Sequence, residues 1–263
     1  MKQAVKMIVF SMVRALAPKE TRGAVILMYH SISDSEAFFA VPPGDFERQI
    51  GYLADSGRTC VSFSELMRRF YARETLDGLA CVTFDDGYRD NRVIALPILQ
   101  RYSIPASVFV STGLMGTVRT TSKGDQLEVM DGPMLADLIS GGLVECMPHG
   151  HMHERLSLLD DSLAATEITA SRNAIELITG EPSIYFAYPF GDYSEKTLAI
   201  LDSLGFKGAL TVEEGIAAPD SKPLEMPRMA MTRETSFGEF ICKVSRPKAY
   251  LFVMRMLGKK RPF

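Results

Sequence analysis

The sequence predicts an α/β protein made of parallel βαβ units. Two observations carry this. Short apolar runs alternate with longer segments of helical period. The residues with chemical capacity fall just after the apolar runs: His30, Asp85, Asp86, His149 and Phe190. In a barrel of parallel strands those positions gather at one face and build the active site. A third observation bears on domain count. The chain has 263 residues and no Gly-rich or Ser-rich linker. That length allows two domains but suits one barrel.

The elements follow in order. Gly23 to His30 is the first strand candidate, and Ser31 to Pro43 a loop. Asp45 to Ser56 is a helix with Phe46, Ile50, Leu53 and Ala54 on its buried side. Thr59 to Ser62 is a short strand, and Ser64 starts a helix that runs to about Tyr71. Leu79 to Phe84 is the central strand. Asp90 to Tyr102 is helical, kinked or shortened by Pro97. Ile104 to Ser111 is a strand, and Val118 to Gln126 is a polar, aperiodic loop over the site. Met130 to Ser140 is a helix ended by Gly141-Gly142. Leu143 to Met147 is the strand that delivers His149. A long helix from Asp160 to Thr179 stops at Gly180 and Pro182. Ser183 to Ala187 is a strand, and Ser194 caps a helix that ends at Gly205. Phe206 to Leu210 and Pro227 to Met231 are the last strands; Ser236 onward is helical, broken at Pro247. The parts are an N-terminal amphipathic segment, 1–22, a catalytic unit, 23–235, and a basic helical tail, 236–263.

The chemistry concentrates in Thr83-Phe84-Asp85-Asp86-Gly87-Tyr88 and in His149-Gly150-His151-Met152-His153. Neighbouring strand residues point to opposite faces. Two adjacent aspartates therefore share a pocket only where the strand ends, and Gly87 places the end there. Asp-Asp-Gly alone is commonly a turn or a helix N-cap. The two imidazoles four residues apart change that balance, because two His and one Asp with an open position form a catalytic metal set. Spacing does not say which aspartate is the ligand.

Four blocks in this order resemble the polysaccharide deacetylase family, the chitooligosaccharide-deacetylase-like carbohydrate esterases (carbohydrate esterase family 4). They are Leu27-Met28-Tyr29-His30, Thr83 to Gly87, His149 and His153 followed by Leu156, and Phe186 to Tyr193. The first and last look like the exopolysaccharide-modifying branch. The resemblance runs from about Val25 to about Arg233. It implies a single-domain, distorted and incomplete (β/α) barrel. It also implies a metal-dependent hydrolase that removes N-acetyl groups from a sugar in a polysaccharide, oligosaccharide or lipid-linked glycan. By the same resemblance Asp86, His149 and His153 hold the metal and Asp85 is the general base. The backbone N–H of Phe190, after the Tyr188-Pro189 turn, binds the oxyanion, and Tyr188 and Pro189 meet substrate. The cofactor is one divalent transition metal, with Zn2+ favoured and Ni2+ or Co2+ as alternatives.

Two positions depart from the family pattern. Ala187 stands where an arginine often orients the base, and no histidine follows His153 to act as the late general acid. His30 is the candidate proton donor, although it reads equally as a hydrogen-bonded strand-end histidine. Arg228 reaches toward the pocket from the last strand as a substrate contact, and His151 points away from the metal. Two other readings stay open. One is an idle glycan-binding member, favoured by the missing histidine and opposed by the intact Asp85. The other is hydrolysis of a small non-sugar amide.

Composition sets the context. The chain is 46% hydrophobic and 23% charged with a net charge of −3, which suggests no nucleic-acid partner. Cys60, Cys81, Cys146 and Cys242 have no zinc or redox spacing and read as free thiols in a reducing compartment. Val5, Ile8, Val9, Met12 and Leu16 share one helical face, interrupted as a signal peptide would not be. The expectation is a cytoplasmic protein, with export as the alternative. The basic and apolar mix from Lys243 to Phe263 suits a helix at a membrane surface, or one whose Leu251 to Leu257 pack on the barrel. Oligomeric state is not legible.

Overall fold

The computed structural model describes the backbone of residues 2–258 and the side chains of residues 8–258. Seven parallel strands run side by side in the order β7-β4-β3-β1-β10-β9-β8, and β2 adds to β3 beside β4. They are β1 (Val25–Tyr29), β2 (Thr59–Cys60), β3 (Leu79–Phe84), β4 (Ala106–Val110), β7 (Val144–Pro148), β8 (Tyr185–Ala187), β9 (Gly208–Glu214) and β10 (Met226–Ala230). The end strands β7 and β8 come together without pairing, so the sheet curls into a nearly closed barrel. β5 (Val118–Thr120) and β6 (Gln126–Glu128) form a separate antiparallel hairpin. Helices α2 (Pro43–Asp55), α3 (Phe63–Tyr71), α4 (Leu96–Tyr102), α5 (Gly132–Ser140), α6 (Asp161–Thr179) and α7 (Glu195–Ser203) belong to the intervening connections. α1 (Lys2–Leu16) precedes the barrel, and α8 (Phe237–Ser245) and α9 (Pro247–Met256) follow it.

Strand burial explains the continuous apolar runs. β1, β3 and β4 are buried at every residue, because one face meets helices and the other fills the barrel. In β3, Ala80, Val82 and Phe84 pack outward with the α2 residues Phe46, Ile50 and Leu53. Leu79 and Cys81 pack inward with Ile26, Phe109 and Met147. The period of two carries this inward row on to Thr83 and Asp85. Register completes the placement. Tyr29 pairs with Phe84, so His30 and Asp85 leave their strands at the same level.

Expectations for four segments are changed or refined. Ala54 is exposed, and the polar Gln49 is buried instead, accepting a 2.7 Å bond from the Tyr29 hydroxyl. The helical run from Asp90 to Tyr102 is present, and the interruption expected from Pro97 takes the form of a π-helical turn, Asn91–Ala95, which shortens the regular part to α4. The polar stretch read as a loop is the β5–β6 hairpin, because Leu127 and Val129 bury against Tyr88 and Phe39. The tail is not one unit. Phe240 and Val244 of α8 are wholly buried in the main core, as is Tyr250 at the start of α9. Cys81, Cys146 and Cys242 are buried and all four thiols are free.

On the first helix, the buried anchor is Phe10, whereas Ile8, Met12 and Leu16 are exposed. The side chain of Val5 and the residues Lys259, Lys260 and Arg261 lie outside the described residues.

One buried cation closes the entry end of the barrel. The Arg58 guanidinium donates to the carbonyls of Val244, Gly23, Leu79 and Glu20 at 2.7–3.3 Å, joining α8, the start of β1 and the start of β3. Replacement by methionine leaves buried carbonyls without a charged donor. Arg58→Met is therefore expected to cost about 2–4 kcal/mol, read from denaturant unfolding. A loss below about 1 kcal/mol would mean that water replaces the guanidinium.

Candidate active site

At the C-terminal end of β3 the two aspartates take separate tasks. Asp85 continues the inward row, and its N–H donates to Tyr29 O at 2.9 Å. Asp86 adopts φ +73°, a left-handed conformation rare for a residue with a side chain. That turn brings its carboxylate back beside Asp85 rather than to the opposite face. Gly87 follows at φ +78°, with Val110 methyl groups 3.1 Å from where a Cβ would stand. Both reasons restrict that position to glycine.

Asp85 is clamped from behind. Arg228 on β10 sends Nη1 to Oδ1 and Nη2 to Oδ2, each at 2.7 Å. Its Nε donates to Thr211 O at 2.8 Å and Nη1 also reaches Thr83 Oγ1 at 3.3 Å. Arg228 is 0% exposed and sits behind Asp85, outside the cleft lining. This corrects the reading of Arg228 as a substrate contact: its donors are spent on Asp85 and its support. Burial pushes the Asp85 carboxyl up, but Arg228 and the neighbouring imidazoles outweigh it and hold it below the ordinary range. The arginine missing at Ala187 is thus supplied from another strand.

The imidazoles arrive from β7. The His149 N–H continues the ladder to Val110 O at 2.9 Å. Its Nδ1 lies 2.8 Å from Ala187 O, which can only accept, so Nδ1 carries the proton and Nε2 offers its lone pair. Burial lowers the His149 pKa to about 4, keeping the ring neutral. Gly150 and His153 both have positive φ and fold the segment back. Glu167 on α6 holds this turn, accepting from the N–H groups of His151 and Met152 at 2.9 and 2.8 Å. His151 turns to Thr112, 2.9 Å away.

One ligand atom each from Asp86, His149 and His153 lies within 4.8 Å of the others. Asp86 Oδ1 is 3.0 Å from His153 Nε2 and 3.7 Å from His149 Nε2. Although buried, it receives no hydrogen bond of proper direction. Burial raises the Asp86 pKa, yet the His153 imidazole and its neighbours bring it well below the usual range. An ionised, buried carboxylate oxygen between two imidazole nitrogens fits a divalent transition cation.

These groups line a cleft of about 270 Å3. His30 is there, its ring 5.6 Å from that of Phe39, and burial lowers its pKa. Phe190, at φ +58°, is 42% exposed on the cleft wall, with its ring 4.4 Å from that of His153 and the Arg155 guanidinium carbon 4.4 Å from the ring centre. Tyr188 is a core residue instead of a substrate contact. It is fully buried, stacks on Tyr193 and donates to Leu224 O at 2.9 Å. Pro189 is buried too and packs beside Gly150. A larger cavity, about 500 Å3, lies near the starts of β7 and β8 around Glu145 and Tyr185 and holds none of this machinery.

Two participants escaped the sequence reading. Arg119 on the hairpin lines the cleft and reaches Asp86 Oδ2 at 3.1 Å. Glu167 braces the histidine turn. Neither has a local signal, since one lies in a polar hairpin and the other in the middle of an ordinary helix.

Arg228→Lys keeps the charge but loses the two-pronged bond. Its expected effect is a turnover fall of at least ~10²-fold with little change in KM or metal content, because Arg228 only positions a group. Near-parental turnover would show that the fork is structural alone.

Comparison with known proteins agrees with this geometry. The family model for polysaccharide deacetylase matches residues 72–209, more than half of the chain. YxkH of Bacillus subtilis (strain 168), named as a candidate polysaccharide deacetylase, is 26% identical over 220 residues, covering 82% of this chain and 75% of that one. A Staphylococcus aureus (strain MSSA476) protein named poly-β-1,6-N-acetyl-D-glucosamine N-deacetylase is 24% identical over 214 residues, covering 78% of this chain and 72% of its own. Among solved structures, IcaB from Ammonifex degensii superposes with a TM-score of 0.75 at 25% identity, covering 87% of this chain and 99% of that chain. The Streptococcus pyogenes deacetylase PplD in complex with acetate gives 0.73 at 25% identity, covering 85% and 98%. The chain belongs to the polysaccharide deacetylase family, whose members are amide-bond hydrolases with a nearly closed parallel barrel.

Proposed function

We propose that this protein is a metal-dependent hydrolase that removes N-acetyl groups from a glycan of N-acetylglucosamine units. One observation carries the reading. A triangle of Asp86, His149 and His153 stands beside a second carboxylate, Asp85, whose orientation is fixed independently by Arg228. A binding module has no use for that separately anchored, ionised carboxylate. The relatives named for poly-N-acetylglucosamine support the substrate class.

A bound divalent cation, Zn2+ by donor type with Ni2+ and Co2+ also fitting, supplies a Lewis acid for the acetyl carbonyl and acidifies water. Asp85 takes the proton of the attacking water at the side of its carboxylate that Arg228 leaves open. The Phe190 N–H donates to the developing oxyanion. His30 gives the leaving nitrogen its proton; its lowered pKa makes the imidazolium a strong acid, though a minority species at rest. Phe38 and Phe190 line the cleft and are exposed, so they offer apolar faces to sugar rings.

The test is release of acetate from N-acetylglucosamine oligomers by the purified protein with and without added zinc. About one metal per chain is expected, lost in the His149→Ala/His153→Ala double variant. Metal content unchanged in that variant would remove the ligand assignment. Asp85→Asn is expected to lower turnover by ~10²–10⁴-fold while metal stays bound. Activity within a small factor of the parent would make Asp85 structural.

For His30→Ala a fall in turnover larger than any rise in KM is expected, because a proton donor acts in the transition state. Unchanged turnover would leave Asp85 to return the proton it has taken.

A further inference from the structure

A second surface is built by the two end helices. α1 and α9 pack on each other and on α8, leaving an apolar groove of about 550 Å3 lined chiefly by Met12, Val13, Leu16, Ala249, Phe252 and Val253. Its lips are exposed: Met12 is 55% accessible, Leu16 79% and Phe252 65%, and Met256, one turn beyond Phe252 on α9, is 73% accessible. Scattered exposed apolar side chains are ordinary, but a contiguous patch marks an interface.

The groove is held to the barrel. Phe10 is fully buried and its ring lies 5.7 Å from that of Tyr250. The Tyr250 hydroxyl donates to the Glu214 carboxylate at 2.9 Å, and Arg246 Nε donates to Ala17 O at 2.8 Å. The patch is therefore a fixed face.

Charge decides what covers it. Residues 1–19 and 240–263 contain eleven of the 29 basic residues and none of the 32 acidic ones. The remaining stretch keeps eighteen basic residues against those 32. Part of the basic charge is used internally: Lys243 pairs with Glu214 at 2.9 Å and Lys248 with Glu20 at 2.7 Å. Arg14 and Arg255 are exposed on the two helices that form the groove. Two copies placed groove to groove would oppose like charges. Exposed apolar lips on two helices that also carry exposed arginines suit a helix pair lying in the headgroup region of an anionic bilayer.

We propose that the α1–α9 face docks on an anionic lipid surface, the apolar lips entering the headgroup boundary and the basic residues meeting lipid phosphates. Among the described residues no helix is long and apolar enough to cross a membrane. The docking is thus in the plane of the surface, and it is independent of the hydrolytic reading.

The test is flotation of the full chain with vesicles of phosphatidylcholine alone or mixed with phosphatidylglycerol. Salt is set at about 0.05 M and about 0.5 M, where screening lengths differ about threefold. Docking predicts at least about tenfold more protein on the anionic vesicles at low salt, and loss of that excess at high salt. The Leu16→Ser/Phe252→Ser/Met256→Ser variant should lose most of the binding. Arg14→Glu/Arg255→Glu, which leaves the groove intact, should lose the preference for anionic lipid. Neither should change hydrolysis of a soluble N-acetylglucosamine oligomer, an assay on which the hydrolytic reading stands or falls by itself. Equal flotation on both vesicle types, or none, overturns the proposal. A dimer in light scattering that the serine variant dissociates also overturns it and assigns the groove to a second copy.

Discussion

The buried ion pair between Asp85 and Arg228 is the interaction on which the site depends. Two opposite charges removed from water gain little net stability unless every remaining hydrogen-bonding group is satisfied. Here Arg228 also meets Thr211 O and Thr83 Oγ1, so the pair sits in a polar frame inside an apolar barrel. Removing either partner would strand a charge in that interior, at a cost of about 3–5 kcal/mol. The pair also states why a barrel is needed. β3 and β10 are separated by β1 in the sheet, and curvature lets a side chain from one reach the end of the other across the interior. The carboxylate is fixed in direction and kept ionised by the same contact, which is what a proton acceptor requires.

Backbone strain concentrates at the same face. Five non-glycine residues with positive φ occur among the described residues, and Asp86, His153 and Phe190 are three of them. Such conformations cost of order 1–3 kcal/mol each and persist only where the surroundings enforce them. The enforcing contacts are visible. Glu167 holds the histidine turn, His149 is tied to Ala187 O, and Gly87 lets β4 approach the aspartates. The triangle of Asp86, His149 and His153 is thus held in place by the protein's own contacts, as the outer-shell support of a metal site would require.

The periphery is less regular and shapes access. The β5–β6 hairpin forms one wall of the cleft and brings Arg119 to Asp86. Asp125, near its turn, accepts from the Ser35 hydroxyl and the Glu36 N–H at 2.6 and 2.9 Å, which ties the hairpin to the loop after β1. Phe39 stacks on Tyr88 beneath it with ring centroids 5.8 Å apart. Two loops from different connections therefore act as one wall of the cleft.

The sequence by itself determined the strand–helix alternation, the parallel sheet and the gathering of Asp85, Asp86 and His149 after strands, because apolar periodicity and turn residues are local signals. It also determined the family, through motifs whose residues lie close together along the chain. It placed Ala187 where an arginine was wanted and could not name the substitute. Only the tertiary structure decided that Arg228 serves Asp85, since that contact joins residues 143 positions apart across the barrel. The same holds for Tyr188, which the motif suggested as a substrate contact and the core claims, and for Arg119 and Glu167, which carry no local mark. The physical reason is direction. A pattern tells which residues are buried or turn-forming, but where a side chain points at the end of a strand is set by the neighbours that distant segments bring to it.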